Sequence, residues 1–391
     1  MYSQPHQMQP MLPSDHEWLK LGEKTEHIVL KASLLSSSAP AATLEDIRTL
    51  VRSMNSYYSN RIEGQGTHPA NIEKALRNDF SSSPEIAALQ RLALAHIQAE
   101  QELEEAVSNG EFPLSSDFAI HAHTALYSRL PEKDRLTPDG EVTIPGQLRS
   151  RDVQVGRHVA PKFSSVPDFL SAFDRFYAKP WAPQRSLIAT ACAHHRLSWI
   201  HPFIDGNGRT SRLQTHASLM ALSHGLWSVN RGLARNKDDY YNHLAAADSQ
   251  RQGDLDGRGN LSEKGLITWV DYFLDTCLDQ VNFMTELLDL QNMRQRIEGY
   301  IAYHTAIGNK KLRKEAALPL QHLFAFGNLE RGEFMQMTGL GERTARYLLS
   351  ELIKLGVVKS KSSHAPLQFG FPMESLSLLL PNLYPEASTK V

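Results

Sequence analysis

His201-Pro202-Phe203-Ile204-Asp205-Gly206-Asn207-Gly208-Arg209-Thr210-Ser211-Arg212 is the stretch on which the reading of this 391-residue chain turns. A helix of small and apolar residues runs up to Ile200 and ends there, because Pro202 disfavours helical geometry at His201. Gly206-Asn207-Gly208 forms a tight loop, and a second helix is expected from about Arg209. Glycines just before a helix N-terminus let backbone N–H groups converge on an anion, with the helix dipole adding to the attraction. Arg209 and Arg212 are three apart, so they share a helix face and offer two guanidinium forks to phosphate oxygens. Asp205, at the loop edge, is a candidate ligand for Mg²⁺, a hard cation usually held by one or two carboxylates plus substrate phosphates. His201 supplies an imidazole, whose ordinary pKa of about 6.5 suits it to take a proton from an attacking hydroxyl. Any one of these features alone would fit a plain Gly-Asn-Gly turn between core helices, with the arginines in surface ion pairs. Twelve residues combining a base, a metal carboxylate, an anion nest and two arginines point to chemistry on a phosphate.

Working outward, most of the chain reads as helix. Thr43 with Asp46 looks like an N-cap pair, and Leu44, Ile47, Leu50, Val51, Met54, Tyr57, Tyr58 and Ile62 keep helical spacing up to Gly64. Further helices are expected over about 71–80, 84–107, 116–129, 167–178, 183–200, 209–224, 238–247 and 263–298. Val142 and Ile144 before Pro145-Gly146, with Val153 and Val155 before Gly156, predict a short hairpin around the Pro-Gly turn. The Gly- and Asp-rich loop 253–260 lacks the spacing and terminal Glu of a calcium loop.

Composition sets the outer bounds. Hydrophobic residues make up 41% and charged residues 21%, and 41 basic against 43 acidic residues give a net charge of −2. No global basic field pulls such a chain onto nucleic acid or an anionic membrane. Two cysteines, Cys192 and Cys277, argue against a disulfide framework or a thiolate zinc site. With no run of about 18 uncharged apolar residues, a membrane span is not expected. The expectation is a soluble, cytoplasmic, multidomain protein. Residues 1–13, rich in Gln, Pro and Met, are expected to be disordered, and Ser36–Pro40 reads as a spacer.

The last seventy or so residues carry their own pattern. Helices at about 318–326 and 330–337, a Thr338-Gly339 turn and a helix over 341–355 precede two short strands, Val357-Val358 and Leu367–Phe369. Ala345, Leu348, Leu349 and Leu352 form the inward stripe of the long helix, with Arg343, Arg346, Tyr347, Ser350 and Lys354 opposite. That order is a winged helix-turn-helix. Six basic and four acidic residues between Phe326 and His364 make a weak footprint for DNA.

The central string resembles the Fic family motif, His-x-Phe-x-Asp/Glu-Gly-Asn-Gly-Arg-x-x-Arg, and every defined position matches. The resemblance covers roughly residues 41–300. It implies a mostly α fold, a Fic-type helical core with a β-hairpin flap, followed by the small winged helix-turn-helix domain. The expected division is a flexible segment 1–40, an N-terminal helical region 41–114, a catalytic domain 115–276, a connecting helix and linker 277–314, and the winged-helix domain 315–391.

The activity the resemblance implies is transfer of AMP from ATP to a Ser, Thr or Tyr hydroxyl of a protein, with pyrophosphate released. His201 would be the catalytic base and Asp205 the Mg²⁺ ligand. Gly206, Asn207, Gly208, Arg209, Thr210, Ser211 and Arg212 would surround the ATP phosphates. Val153, Gln154, Val155 and Gly156 match the part of the flap that borders the nucleotide, and Tyr240 and Tyr241 match paired tyrosines beside the adenine. Ser59-Asn60-Arg61-Ile62-Glu63-Gly64 fits the family's inhibitory pattern, in which Glu63 would pair with Arg212 and take the space of the γ-phosphate, with Ser59 on the same helix face. Hydrolysis of AMP from a modified protein at the same site is the alternative direction. A transcriptional regulator with a nucleotide-sensing core is the alternative of another class. Gly208 and Arg209 separate the chain from the kinase-like branch of the superfamily, whereas UMP transfer stays open. The partners expected are a protein substrate, the chain itself as a target, a second copy in a homodimer, and DNA at the C-terminal domain.

Overall fold

The computed structural model describes residues 1–384, so residues 385–391 of the expected C-terminal domain lie outside the described residues. Five helices come first: α1 (Asp15–Leu35), α2 (Ala41–Ile62), α3 (Pro69–Leu76), α4 (Pro84–Ser108) and α5 (Ser116–Tyr127). An antiparallel hairpin of β1 (Gln154–Val155) and β2 (His158–Val159) follows, then α6 (Val166–Tyr177), α7 (Pro183–Ile200) and α8 (Asn207–Ser223). The helical body ends with α9 (Asn230–Arg235), α10 (Lys237–Asp248), α11 (Glu263–Leu288) and α12 (Leu290–Ala306). The C-terminal unit comprises α13 (Ala317–Phe326), α14 (Arg331–Met337), α15 (Glu342–Lys354), β3 (Val358–Lys359), β4 (Gln368–Phe369) and α16 (Met373–Leu379). No helix among the described residues is long and apolar enough to cross a membrane.

α7 is the central helix, enclosed by α1, α6, α8 and α11. Its sequence explains this position: Ala189, Ala191 and Ala193 are fully buried, and such small side chains let neighbouring helices approach closely. Trp269 of α11 fills the resulting seam and donates its indole N–H to the Ala191 carbonyl at 2.7 Å. A second apolar cluster joins α4, α5 and α8 through Leu92, Leu103, Phe118, Leu126 and Leu213. α8 therefore has core on both sides, which holds its N-terminus still.

The N-terminal segment departs from the expected disorder. Met8 and Met11 are buried, the Arg196 guanidinium donates to the Pro10 carbonyl at 2.6 Å, and Leu261 N–H donates to the Gln9 carbonyl at 2.8 Å. The polar composition hides two apolar anchors and backbone carbonyls that satisfy a buried guanidinium. Nor is 15–40 a flexible segment: α1 buries Leu21, Ile28, Ala32 and Leu35 on one face, and Lys24 pairs with Asp271 and Asp275 of α11.

Two further expectations need correction. Pro145-Gly146 does make a turn, with Gln147 N–H donating to the Ile144 carbonyl at 3.2 Å, yet no hairpin forms around it. Gly146 docks on α5 instead, donating its N–H to His123 Nδ1 at 2.8 Å. The paired strands lie further on, turned by Gly156 in the left-handed region at φ +58°. The long helix expected over 263–298 breaks at Asp289, which is extended (ψ 130°) and caps α12 by accepting from Asn292 N–H at 2.8 Å.

In the C-terminal unit the expected stripe of Ala345, Leu348, Leu349 and Leu352 is buried. β3 and β4 pair in the register Val358 with Phe369, and Leu329 bridges to Leu367. This unit lies along α2. Lys359 Nζ is 3.2 Å from Asp46 Oδ1, Tyr384 donates to the Leu50 carbonyl at 3.1 Å, and Tyr58 donates to the Leu383 carbonyl at 3.2 Å.

Candidate active site

α7 ends by design of its sequence. His201 is its C-cap and takes left-handed geometry (φ 51°, ψ 60°), which turns the chain out of the helix ahead of Pro202. Such a conformation is uncommon for a residue with a Cβ and has to be held by its surroundings. Burial pushes the imidazole pKa down to about 4, helped by the nearby charges of His158 and Arg149 and opposed by the Ser198 carbonyl and Asp205. At neutral pH the ring is therefore uncharged and able to accept a proton.

The loop from Phe203 to Gly206 is closed by Asn207, whose Oδ1 accepts from Phe203 N–H at 2.9 Å while Nδ2 donates to the Phe203 carbonyl at 2.8 Å. The Asn207 side chain thus shapes the loop and is not free to meet a ligand. Gly206 caps α8 at φ +78°, where a Cβ would stand 2.4 Å from the Tyr127 ring. The first N–H of α8 to bond back is that of Thr210, to the Gly206 carbonyl at 2.9 Å. The N–H groups of Asn207, Gly208 and Arg209 ahead of it have no helix carbonyl behind them, and they form the electropositive end.

Glu63 faces that end. A Cβ on Gly208 would lie 2.3 Å from Glu63 Oε1, so glycine is what lets the carboxylate approach. Arg212 donates through one terminal nitrogen to Glu63 Oε1 at 2.6 Å, through Nε to Ser59 Oγ at 2.9 Å, and to the Ser59 carbonyl at 3.1 Å. Burial alone would raise the Glu63 pKa, but Arg212 and Arg209 overcome it and hold the carboxyl below the usual range. The end of α2 is built for this. Gly64 N–H donates to the Arg61 carbonyl at 3.0 Å and Gln65 N–H to the Asn60 carbonyl at 2.8 Å, a Schellman cap with Gly64 left-handed at φ +76°.

Asp205 points one oxygen inward and leaves the other open. Its Oδ2 accepts from the Tyr127 hydroxyl at 2.9 Å and from Arg209 at 3.2 Å, Oδ1 makes no hydrogen bond among the described residues, and the side chain is 40% exposed. A carboxylate fixed through one oxygen and open through the other, beside an anion-binding helix end, fits Mg²⁺ shared with phosphate oxygens.

The sequence-predicted residues divide in three. His201, Asp205, Gly206, Gly208, Arg209, Arg212, Ser59 and Glu63 converge. Thr210 and Ser211 do not: both side chains are fully buried, Ser211 Oγ accepting from Ser198 Oγ at 3.1 Å across the α7–α8 seam. Tyr240 is likewise a core ring, its hydroxyl 2.9 Å from His194 Nε2, while Tyr241 is 41% exposed. The hairpin Val153–Gly156 has exposed β1 side chains and is tethered through His158, whose Nε2 donates to the Trp199 carbonyl at 2.7 Å.

Several residues of the site gave no signal in the sequence. Tyr127 bridges Asp205 and Arg209, accepting from Arg209 at 2.8 Å, and Gln65 accepts from the other Arg209 nitrogen. One turn past Arg212, His216 lies 3.0 Å from Glu104 and 3.4 Å from Glu100, while Arg52 of α2 donates to Glu104 at 2.7 Å. Burial raises the Glu100 pKa to about 7. This buried network ties α2 to α8 independently of Glu63.

An N-terminal nest with two arginines, an uncharged imidazole and an open carboxylate define a site for a phosphate-bearing ligand. Comparison with known proteins agrees: residues 113–219 match the model of the Fic/DOC family, so the chain carries a Fic domain. Over 111 residues it is 32% identical to the protein adenylyltransferase Fic of Drosophila ananassae and 31% identical to that of Drosophila simulans. These matches cover 28% of this chain and only 21% of the relatives' length. A Fic domain containing signaling protein from Bacteroides thetaiotaomicron shares the fold at a TM-score of 0.52 and 16% identity, over 67% of this chain and 96% of that one.

Proposed function

We propose that the chain is a self-inhibited protein adenylyltransferase that moves AMP from ATP to a hydroxyl of a protein side chain. The observation that carries the reading is that the chain's own carboxylate, Glu63, occupies the anion seat at the N-terminus of α8 and ties up Arg212. A site that must be plugged with an internal anion is a site for anions.

In the reaction, the neutral imidazole of His201 takes the hydroxyl proton. The oxygen forms its bond to the α-phosphorus as the bond to the β-phosphate oxygen breaks, and pyrophosphate leaves. The N–H groups of Asn207, Gly208 and Arg209, with the Arg209 and Arg212 guanidinium groups, offset the phosphate charge. Asp205 is the residue that would hold Mg²⁺, which when bound neutralises phosphate charge and keeps the chain of phosphates in line. The exposed edge of β1 suits an extended target segment added as a strand. The Glu63–Arg212 pair keeps the rate low, because Arg212 serves the carboxylate instead of the outer phosphates. Residues 315–391 are read as a winged helix, and within its described part Lys359 of the wing pairs with Asp46 of α2.

The test is a labelled-ATP assay on wild type, Glu63→Gly and Glu63→Gly/His201→Ala. Glu63→Gly is expected to gain transfer, onto itself included, by at least roughly tenfold, about 1.4 kcal/mol of released inhibition. The double variant is expected to lose it. Equal labelling of the first two would remove the inhibitory role, and strong labelling of the third would remove His201 as base.

A further inference from the structure

Arg149 has no part in the mechanism above, yet it is the most committed side chain near it. It lies in the loop after the Pro145-Gly146 turn, and its side chain is fully enclosed. Among the described residues its nearest carboxylate, Asp152, is 3.9 Å away and 42% exposed. A buried guanidinium without a close counter-ion is expensive, and packing alone would favour an apolar residue of similar volume. What satisfies it is backbone. Nε donates to the His201 carbonyl at 2.8 Å, one terminal nitrogen donates to the Arg151 carbonyl at 2.9 Å, and the other donates to the Pro161 carbonyl. Its own N–H donates to the Pro202 carbonyl at 2.9 Å.

These acceptors are not scattered. Arg151 stands just before β1 and Pro161 just after β2, so they are the two legs of the hairpin. The other two are successive carbonyls of the strained turn that carries the imidazole. We infer that Arg149 is a positioning residue that clamps both legs of the hairpin onto the His201–Pro202 turn, so that the imidazole and the strand edge beside it keep one fixed relation. The guanidinium is suited to this as an ammonium is not, because its planar fork reaches three acceptors in fixed directions. It acts through His201 and the hairpin and touches no reacting atom. A loss of even about 1 Å of register between base and target costs rate while leaving the phosphate cradle on α8 intact.

The inference rests on the transfer reading for its kinetic arm and stands apart from it in its structural arm. Both use the full chain with Glu63→Gly as the active background, adding Arg149→Met or Arg149→Lys. In the kinetic arm Arg149→Met is expected to lower kcat at least tenfold with KM for ATP within twofold. Its acid limb should move to higher pH, since a positive charge that depresses His201 has gone. Arg149→Lys is expected to keep the acid limb but recover little kcat, because one ammonium cannot hold three carbonyls. In the structural arm, hydrogen exchange of amides 152–160 is expected to accelerate in both variants, with α7 and α11 unchanged. Unchanged hairpin exchange, a uniform acceleration over the whole chain, or full kcat in Arg149→Met each overturns the inference. If Glu63→Gly transfers nothing, the transfer reading fails, while the exchange arm still decides the clamp.

Discussion

Removing the Glu63 carboxylate should change not only rate but the coupling between nucleotide and stability. In Glu63→Ala the enclosed Arg212 guanidinium, 1% exposed, loses its counter-ion and keeps Ser59 Oγ, the Ser59 carbonyl and the Tyr240 hydroxyl, none of them charged. Breaking a fully buried pair from one side costs about 3–5 kcal/mol. Glu63 is 29% exposed, so water offsets part of this, and about 1–2 kcal/mol is expected. In a chain of 391 residues that lowers Tm by about 1–2.5 °C. MgATP supplies the missing anion. If Glu63 weakens ATP binding tenfold, a concentration of about 100 Kd for the variant is about 10 Kd for wild type. The stabilisation, RT ln(1 + [L]/Kd), is then about 2.7 kcal/mol for the variant and about 1.4 for wild type. Thermal scans with and without MgATP at one fixed concentration should show a variant that starts lower and shifts about twice as far. The difference should persist from pH 6 to 8. A carboxylate whose folded pKa is depressed stabilises above its unfolded value of about 4.5 and loses that contribution only as pH falls through the folded pKa. Equal ATP shifts, or a variant as stable as wild type without nucleotide, would refute the reasoning that Glu63 occupies the anion seat.

Two other outcomes are expected of the same machinery. With His201 pushed down to about 4, the acid limb of kcat/KM in Glu63→Gly should lie near pH 4–5, and a limb near 6.5 would mean the ring is solvated in the working enzyme. Asp205→Asn should lose Mg²⁺-dependent transfer by at least roughly tenfold, and excess chelator should do the same to Glu63→Gly; full labelling in chelator would point to transfer without a metal.

The residues that could be read in advance are those whose chemistry is local. The helix over 183–200 and the turn after it follow from small residues, Pro202 and two glycines, all within one short stretch. Gly64 was legible because a left-handed helix cap has a sequence signature, and the cap is there, whereas Ser59 and Glu63 were singled out by resemblance to the family's inhibitory pattern. The residues that were not legible act only through partners far along the chain. Tyr127 sits in α5 like any core aromatic, and only the fold brings Asp205 and Arg209 to its hydroxyl. Pro145-Gly146 carries a true turn signal, but strand pairing depends on what the flanks meet, and they meet α5. Arg149-Ser150-Arg151-Asp152 looks like a solvated charge run. Arg149 is buried because four backbone carbonyls converge on it, and carbonyls have no letter in a sequence. The division has a physical basis: the groups proposed to handle phosphate charge must be specific side chains or glycines at fixed spacing. The groups that aim them need only reach backbone atoms, which every residue provides.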